Sequence, residues 1–385
     1  MPVFSITHQE GKARRGQIQT EHGTIETPAF VPCATHGSLR GVPIDRVGEL
    51  GLELILSNIY HLMLRPGITT IERLGGIHQF MGWGNAIITD SGGFQAFALP
   101  KYVRFREEGI TFRSHIDGST HLLTPESVIE MQERIGVDIG TCLDVCTGFP
   151  VPERDVAQAV DQTNRWAERS VAAWTNRTML LYGMVQGSIY ESQRRRSAEF
   201  LRDLPFGGFA IGGNMYTFGQ TLKALAAEKP RMWEVVGYTA SLLPEDKPRH
   251  LLGVGEPSDL IAGVGQGIDT FDCVMATRIA RHGTVWVRID DTGWKYRREN
   301  LKSAANAQSS VPIDERCLCV ACTRRIPRGY LRHLLVEHDP IAAELLSLHN
   351  LVFLRNLIAD IRASLEAGTF VQQFGQIDKP ASYQV

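Results

Sequence analysis

No stretch of this sequence is apolar over anything near the roughly 18 residues that a membrane-spanning helix requires. The opening MPVFSITHQEGKARRG has no apolar core of the kind a secretory leader carries. A cytoplasmic location without a membrane partner is the expectation. An excess of one charge is lacking too. Lys and Arg number 40 against 42 Asp and Glu, a formal net charge of −2. A nucleic-acid partner therefore cannot be inferred from overall charge and needs a local basic patch. There is no P-loop and no Rossmann glycine fingerprint, so the usual signals for a nucleotide or redox cofactor are missing. Cysteine is scarce, at 7 residues, and three of them crowd together at Cys317, Cys319 and Cys322, while Cys33, Cys142, Cys146 and Cys273 are scattered. That is no disulfide framework, and clustered thiols in a reducing compartment point to a metal.

What is present is a repeat of short apolar runs, each ending on small or polar residues. They are PAFVPC (28–33), LELILSN (52–58), NAIITD (85–90), DIGTCLD (138–144), LLYGMVQ (180–186), FAIGG (209–213), HLLGVG (250–255) and TFDCV (270–274). Rich in Ile, Leu and Val and too short for buried helices, they predict strands covered on both faces. Helical stretches lie between several of them. TPESVIEMQERIG offers Thr124 as N-cap and Pro125 in the first helical position, and Val156 to Trp174 form a second amphipathic helix. Eight strands alternating with helices predict an α/β fold, the (β/α)8 TIM barrel, whose chemistry sits at the carboxyl ends of the strands.

The strand ending in ITDSGGFQ then acquires a meaning. Asn58, Asp90, Asp144, Gln186, Gly213 and Asp272 all stand at predicted strand ends and should face one mouth. Two insertions interrupt the repeat. Residues 98–123 predict an antiparallel hairpin turning at Asp117-Gly118. Residues 281–350 start with an irregular β segment, TVWVRIDDTGWKYRREN, and continue through the cysteines into helices, so that residues 1–280 plus 351–385 form the catalytic barrel. A basic patch spans Arg278, Arg281, Arg288, Lys295, Arg297, Arg298 and Lys302, against Asp290, Asp291 and Glu299; it suits either phosphate contact or a solvated face. ERCLCVACTRR presents three thiolates as Cys-x-Cys-x2-Cys, and His349 completes a Cys3His set, with His333 and His338 as rivals for the fourth place. Such a set suits one structural Zn2+ with no open coordination position.

DSGGFQ, GMVQGS, FAIGG, GIDTFDCV followed by Thr-Arg, and the Cys-x-Cys-x2-Cys run together resemble the tRNA-guanine transglycosylases of the bacterial queuosine type, from near Phe4 to about Ala367. The resemblance implies a TIM barrel with a zinc subdomain. It implies exchange of the wobble guanine in G-U-N anticodon tRNAs for a 7-deazaguanine, either 7-aminomethyl-7-deazaguanine or queuine. It further implies Asp272 as nucleophile and Asp90 as general acid/base. Ser91, Phe94, Asp144, Gln186, Gly213 and Leu252 are implied in base binding, Arg278 and Arg281 in reading the anticodon loop, and Cys317, Cys319, Cys322 and His349 in holding zinc. Homodimers joined through the zinc region are implied as well. Related enzymes that act on DNA, and non-catalytic partner subunits, are the alternatives. The chemistry agrees: exchanging bases on one face of a sugar needs two inversions, hence a covalent carboxylate ester, while a second carboxylate handles the proton of the purine nitrogen.

Several positions depart from the family pattern. Asn214 to Gly219 replace a loop that usually carries an acidic residue, Phe94 stands for a tyrosine, Val145 for an acidic residue, Glu256 for a lysine and Ala276 for a proline.

Overall fold

Eight parallel strands close a barrel in the computed structural model of the chain. They are β1 (Ala29–Pro32), β2 (Leu54–Asn58), β3 (Ala86–Asp90), β4 (Ile139–Thr141), β5 (Leu180–Val185), β6 (Gly208–Ile211), β7 (Arg249–Leu251) and β8 (Thr270–Cys273). The structure describes residues 3–98, 102–213, 222–290 and 294–375, with 222–227 by backbone alone. Six strands fall inside the apolar runs, and β6 and β7 each begin one residue ahead of theirs, at Gly208 and Arg249. In the sheet β1 neighbours β8 and each further strand pairs in turn back to β2, and a parallel bridge from Cys33 to Leu56 closes the ring. Helices such as Pro125–Ile135, Glu153–Ala173 and Glu191–Arg202 return the chain between strands. The first of them begins on Thr124, whose side chain accepts from Ser127 N while Ser127 reciprocates, a capping box.

Alternation along the strands separates two apolar layers. Ala29, Val31, Leu54, Leu56, Ala86 and Ile88 point into the barrel. Phe30, Ile55 and Ile87 point outward against the helices. The barrel floor is closed by an antiparallel sheet of Phe4–Glu10, Ala13–Thr20 and Gly23–Thr27, which contributes Phe4, Ile18 and Ile25 to the interior cluster. Buried Arg14 ties this sheet to the barrel, donating through Nε to Asp269 Oδ1 at 2.8 Å.

The first insertion is larger than a hairpin. Val103–Phe105, Ile110–Arg113 and Thr120–Leu123 form a three-stranded antiparallel sheet, with Gly118 at positive φ in the expected turn. The second opens on a regular antiparallel pair, Thr284–Arg288 with Tyr296–Asn300, in unbroken register from Thr284 opposite Asn300 to Arg288 opposite Tyr296. This corrects the expected irregular β segment; alternation of buried Val285 and Val287 against the neighbouring core imposes regular pairing. That core also includes Ile313, Leu331, Leu335 and Leu346. The helix Pro340–Glu366 runs on from this core to the barrel wall. Among the described residues it alone is long and apolar enough to cross a membrane, but 67% of its most apolar window is buried inside the protein.

Candidate functional site

The carboxyl ends of the strands surround a cavity of about 850 Å³. Asn58, Asp90, Asp144, Gln186, Gly213 and Asp272 all line it, as do Ser91, Phe94, Leu252 and Arg278. The volume lies in the range of small-molecule pockets. Arg281, one helical turn beyond Arg278, is not part of this lining and donates to Thr277 Oγ1 at 3.1 Å.

The DSGG stretch has its shape because Asp144 approaches its backbone. A Cβ on Gly93 would meet the Asp144 carbonyl oxygen at 2.8 Å and Asp144 Oδ1 at 3.2 Å, so only glycine fits there. Ser91 Oγ donates to Asp144 Oδ1 at 3.1 Å, and Gln186 Nε2 donates to Asp144 Oδ2 at 2.6 Å. Gly213, at φ +62°, leaves the room that Gln186 Oε1 occupies. Burial pushes Asp144 up to about 6, while the bonds from Gln186 and Ser91 pull it back toward the ionised form.

Asp90 is held differently. Register places Asn58 beside Asp90, and both the Asn58 amide and Gln95 Nε2, at 2.9 Å, donate to its Oδ2. Among the described residues its buried Oδ1 has no hydrogen-bond partner. Burial and then the nearby Asp272 charge push this carboxyl up to about 8, against the smaller effect of Gln95. Asp90 is thus an acid at neutral pH, whereas Asp144 is chiefly a carboxylate. Asp272 accepts from Gly253 N at 3.1 Å on Oδ1, and the buried His250 ring places Nε2 3.2 Å from the same oxygen. Cys33 Sγ lies 3.5 Å from Oδ2.

Buried Arg194 shapes the rim. Its guanidinium donates to the carbonyls of Ser188, Val185, Gly212 and Gly213, at 2.8 to 3.1 Å, and so joins the ends of β5 and β6. The Asn214 to Gly219 segment lies outside the described residues. Glu256 does not face the mouth: Tyr296 Oη donates to its Oε1 at 2.7 Å and Arg298 pairs with its Oε2, fastening the hairpin to the barrel. The basic patch is thereby partly internal, since Arg298 turns to Glu256 and Arg288 covers the Trp294 ring, while Arg297 pairs with Glu299 at 3.2 Å and stays exposed.

Cys317, Cys319, Cys322 and His349 converge, with ligand atoms all within 4.8 Å of one another. His333 and His338 are not in this group. His349 Nδ1 is 3.5 Å from both the Cys319 and Cys322 sulfurs, and Nε2 lies 2.8 Å from the Trp286 carbonyl oxygen. A proton on Nε2 satisfies that carbonyl and leaves the Nδ1 lone pair facing the thiols, the orientation a metal-binding imidazole needs. The cluster can hold a metal ion.

Sequence reasoning missed His250, Cys33 and Gln95. His250 lies two residues before Leu252, and Thr270 two before Asp272. The period of a strand alone would have turned both toward the interior.

A closed (β/α)8 barrel with three carboxylates converging at its mouth and a Cys3His appendage is the framework of a barrel enzyme. Residues 9–379 match the family model described as Queuine tRNA-ribosyltransferase. The chain is 41% identical over 371 residues to a queuine tRNA-ribosyltransferase of Dictyoglomus turgidum, covering 95% of this chain and 91% of the relative. It is 42% identical over 367 residues to the protein of that name from Thiobacillus denitrificans, covering 95% of each. To that of Symbiobacterium thermophilum it is 43% identical over 361 residues, 94% of this chain and 86% of the relative. The chain belongs to the queuine tRNA-ribosyltransferase family.

Proposed function

We propose that this chain is a tRNA-guanine transglycosylase, which replaces the wobble guanine of G-U-N anticodon tRNAs by a 7-deazaguanine in queuosine biosynthesis. The observation that carries the reading is the pair Asp90 and Asp272 in one pocket, with Asp90 held protonated partly by the charge of its neighbour. The target nucleotide leaves its stack to enter the mouth, as in other enzymes that work on bases. Phe94, 43% exposed, offers a ring for stacking. Asp144 and the unpartnered Gln186 Oε1 are acceptors for the N1–H and 2-amino donors of a guanine-like edge. Asp272 attacks C1′ as carboxylate, the C1′–N9 bond breaks, and Asp90 gives its proton to the departing base. The incoming base loses its N9 proton to Asp90 and displaces the aspartyl ester, which restores Asp272 and retains the sugar configuration. Arg278 at the pocket wall and Arg281 beyond it supply cations for the anticodon loop.

Cys317, Cys319, Cys322 and His349 would hold one structural zinc, which fills its coordination sphere with protein and leaves no position for substrate. Exposed Leu318, Tyr330, Val336 and Ile341 give the insertion an apolar surface suited to a second copy of the chain, and we place the dimer in the cytoplasm. The test is release of labelled guanine from a G-U-N tRNA, with 7-aminomethyl-7-deazaguanine and queuine as parallel chase bases. Displacement by one base and not the other establishes the reaction and names the substrate. No release from any tRNA, or unchanged release in Asp272→Asn, overturns the reading.

A further inference from the structure

His250 has no exposed surface and makes two polar contacts. Its Nδ1 lies 2.8 Å from Thr270 Oγ1 and its Nε2 lies 3.2 Å from Asp272 Oδ1. Pairing of β7 with β8 sets His250 directly opposite Thr270, and Asp272 follows on the same face two residues later. The chain of contacts thus crosses from one strand to the next and ends on the carboxylate. A satisfied core histidine would need partners but not this one.

We propose that His250 is a positioning residue for base exchange, clamping Oδ1 of Asp272 so that Oδ2 is the oxygen that attacks C1′. The inference rests on the reading of Asp272 as nucleophile. Attack requires the carboxylate form, which only accepts hydrogen bonds, so His250 Nε2 carries the proton and Nδ1 accepts from the Thr270 hydroxyl. The acceptor-only carboxylate thus sets the tautomer, and the threonine hydroxyl, able to donate, matches it. Oδ1 then receives two N–H donors, from His250 and from Gly253 at 3.1 Å. Among the described residues the hydrogen-bond partner of Oδ2 is the Cys33 thiol, a weak donor at 3.5 Å, which leaves its lone pairs for carbon.

The clamp matters twice. It orients Oδ2 in the first displacement, when the C1′–Oδ2 bond forms, C1′–N9 breaks and the electron pair leaves with the base. In the second displacement the C1′–Oδ2 pair returns to the carboxylate, and Oδ1 recovers part of the negative charge. Hydrogen bonds to an ionised acceptor are stronger than those to a neutral ester carbonyl. His250 therefore favours release of the ester and keeps the covalent species from accumulating.

The test separates this role from a merely structural one. Wild-type protein, His250→Phe, His250→Gln and Thr270→Val are incubated with a G-U-N tRNA. Protein–tRNA adduct is measured on denaturing gels, alongside kcat and KM for exchange. His250→Phe is expected to lower kcat about 10- to 100-fold, with KM for the incoming base unchanged, while the fraction present as adduct at equilibrium rises about fivefold, the scale set by the difference between a hydrogen bond to an ionised acceptor and one to a neutral ester. His250→Gln, which keeps a donor, recovers most of both. Thr270→Val, nearly isosteric, moves both readouts the same way by less, and it carries the test if the Phe variant does not fold. Turnover and adduct falling together, or the Gln variant matching the Phe variant, overturns the clamp. Absence of any adduct in the wild type and in every variant instead overturns the nucleophile reading on which it rests.

Discussion

Asn58 and Asp90 end neighbouring strands in register, and the Asn58 amide donates to Asp90 Oδ2 while its own carbonyl oxygen accepts from His61 N at 3.2 Å. One side chain thus caps the helix Ile59–Leu64 and fixes the orientation of the pocket acid. What remains open on that acid among the described residues is its buried Oδ1.

Asp90 makes the pH dependence predictable. With its carboxyl pushed up to about 8 by burial and the Asp272 charge, exchange should lose its acid and fall as pH rises through about 8. In Asp272→Asn the second cause is removed, so Asp90, followed by carboxyl-carbon NMR, should titrate lower while staying above an ordinary aspartate. Stability obeys the same sign. The folded state binds this proton more tightly than the unfolded chain, so the contribution of Asp90 is complete below the usual carboxylate range and lost as pH rises through about 8. The Tm of Asp90→Asn minus that of the wild type should therefore widen from about pH 6 to about pH 9. A gap that narrows would sink the assignment.

At the other end of the barrel Asp138 has the opposite behaviour. Its burial alone would raise it, but donors from His78 Nε2 at 3.1 Å, Ile87 N at 2.8 Å and the backbone and ring of His22 hold it below the ordinary range. The two imidazoles stack at 3.6 Å over it and join the floor sheet to the wall. Stability from this site is present above the unfolded carboxylate range and disappears as pH falls through the depressed folded value. Asp138→Asn should cost about 2–3 kcal/mol near neutrality by urea unfolding, with the difference closing in acid. Equal stabilities near neutrality would show that the clasp contributes nothing.

Arg194 supplies a third expectation. Burial pushes it down to about 10, so it stays a cation at neutral pH, and its hydrogen-bond partners among the described residues are carbonyls at and just beyond the β5 and β6 ends. Arg194→Met leaves those carbonyls without donors and should cost about 3–5 kcal/mol, while Arg194→Lys, lacking the planar fork, recovers less than half. Base affinity should weaken as well, because Gly213 and Gln186 share that rim. A loss below about 1 kcal/mol would contradict the network.

The barrel strands were legible because burial on both faces leaves uninterrupted Ile, Leu and Val runs, and Asp90, Asp144 and Asp272 because polar residues ending such runs have one place to go. The floor sheet was not. ARRGQIQT carries arginines that argue against a buried strand until Arg14 meets Asp269, a partner 255 positions away. His250 was hidden for a related reason: inside an apolar run a histidine signals nothing until register brings Thr270 and Asp272 beside it. Glu256 could be read only as a departure from lysine, since its partners Tyr296 and Arg298 belong to a hairpin folded back from the insertion.

The Cys3His cluster gives the last prediction. The insertion has its own small core, and Cys319 and Cys322 sit inside it with Leu331 and Leu346. A metal joining those sulfurs to His349 ties the loop around the helix Val320–Thr323 to the helix Pro340–Glu366, so its loss removes the restraint that keeps this core closed. Structural zinc in small peptides is worth about 10–16 kcal/mol, more than so small a core supplies alone. Cys322→Ser, or chelation of the native protein, should therefore abolish one equivalent of bound zinc and split thermal unfolding into an early transition of the insertion and a later one of the barrel. Because Val352 and Leu354 lie on the same helix, one in each core, the barrel transition should also move down by a few degrees. A Cys322→Ser protein that keeps a full equivalent of zinc and a single unshifted transition would show that these residues form a thiol-lined core without a metal.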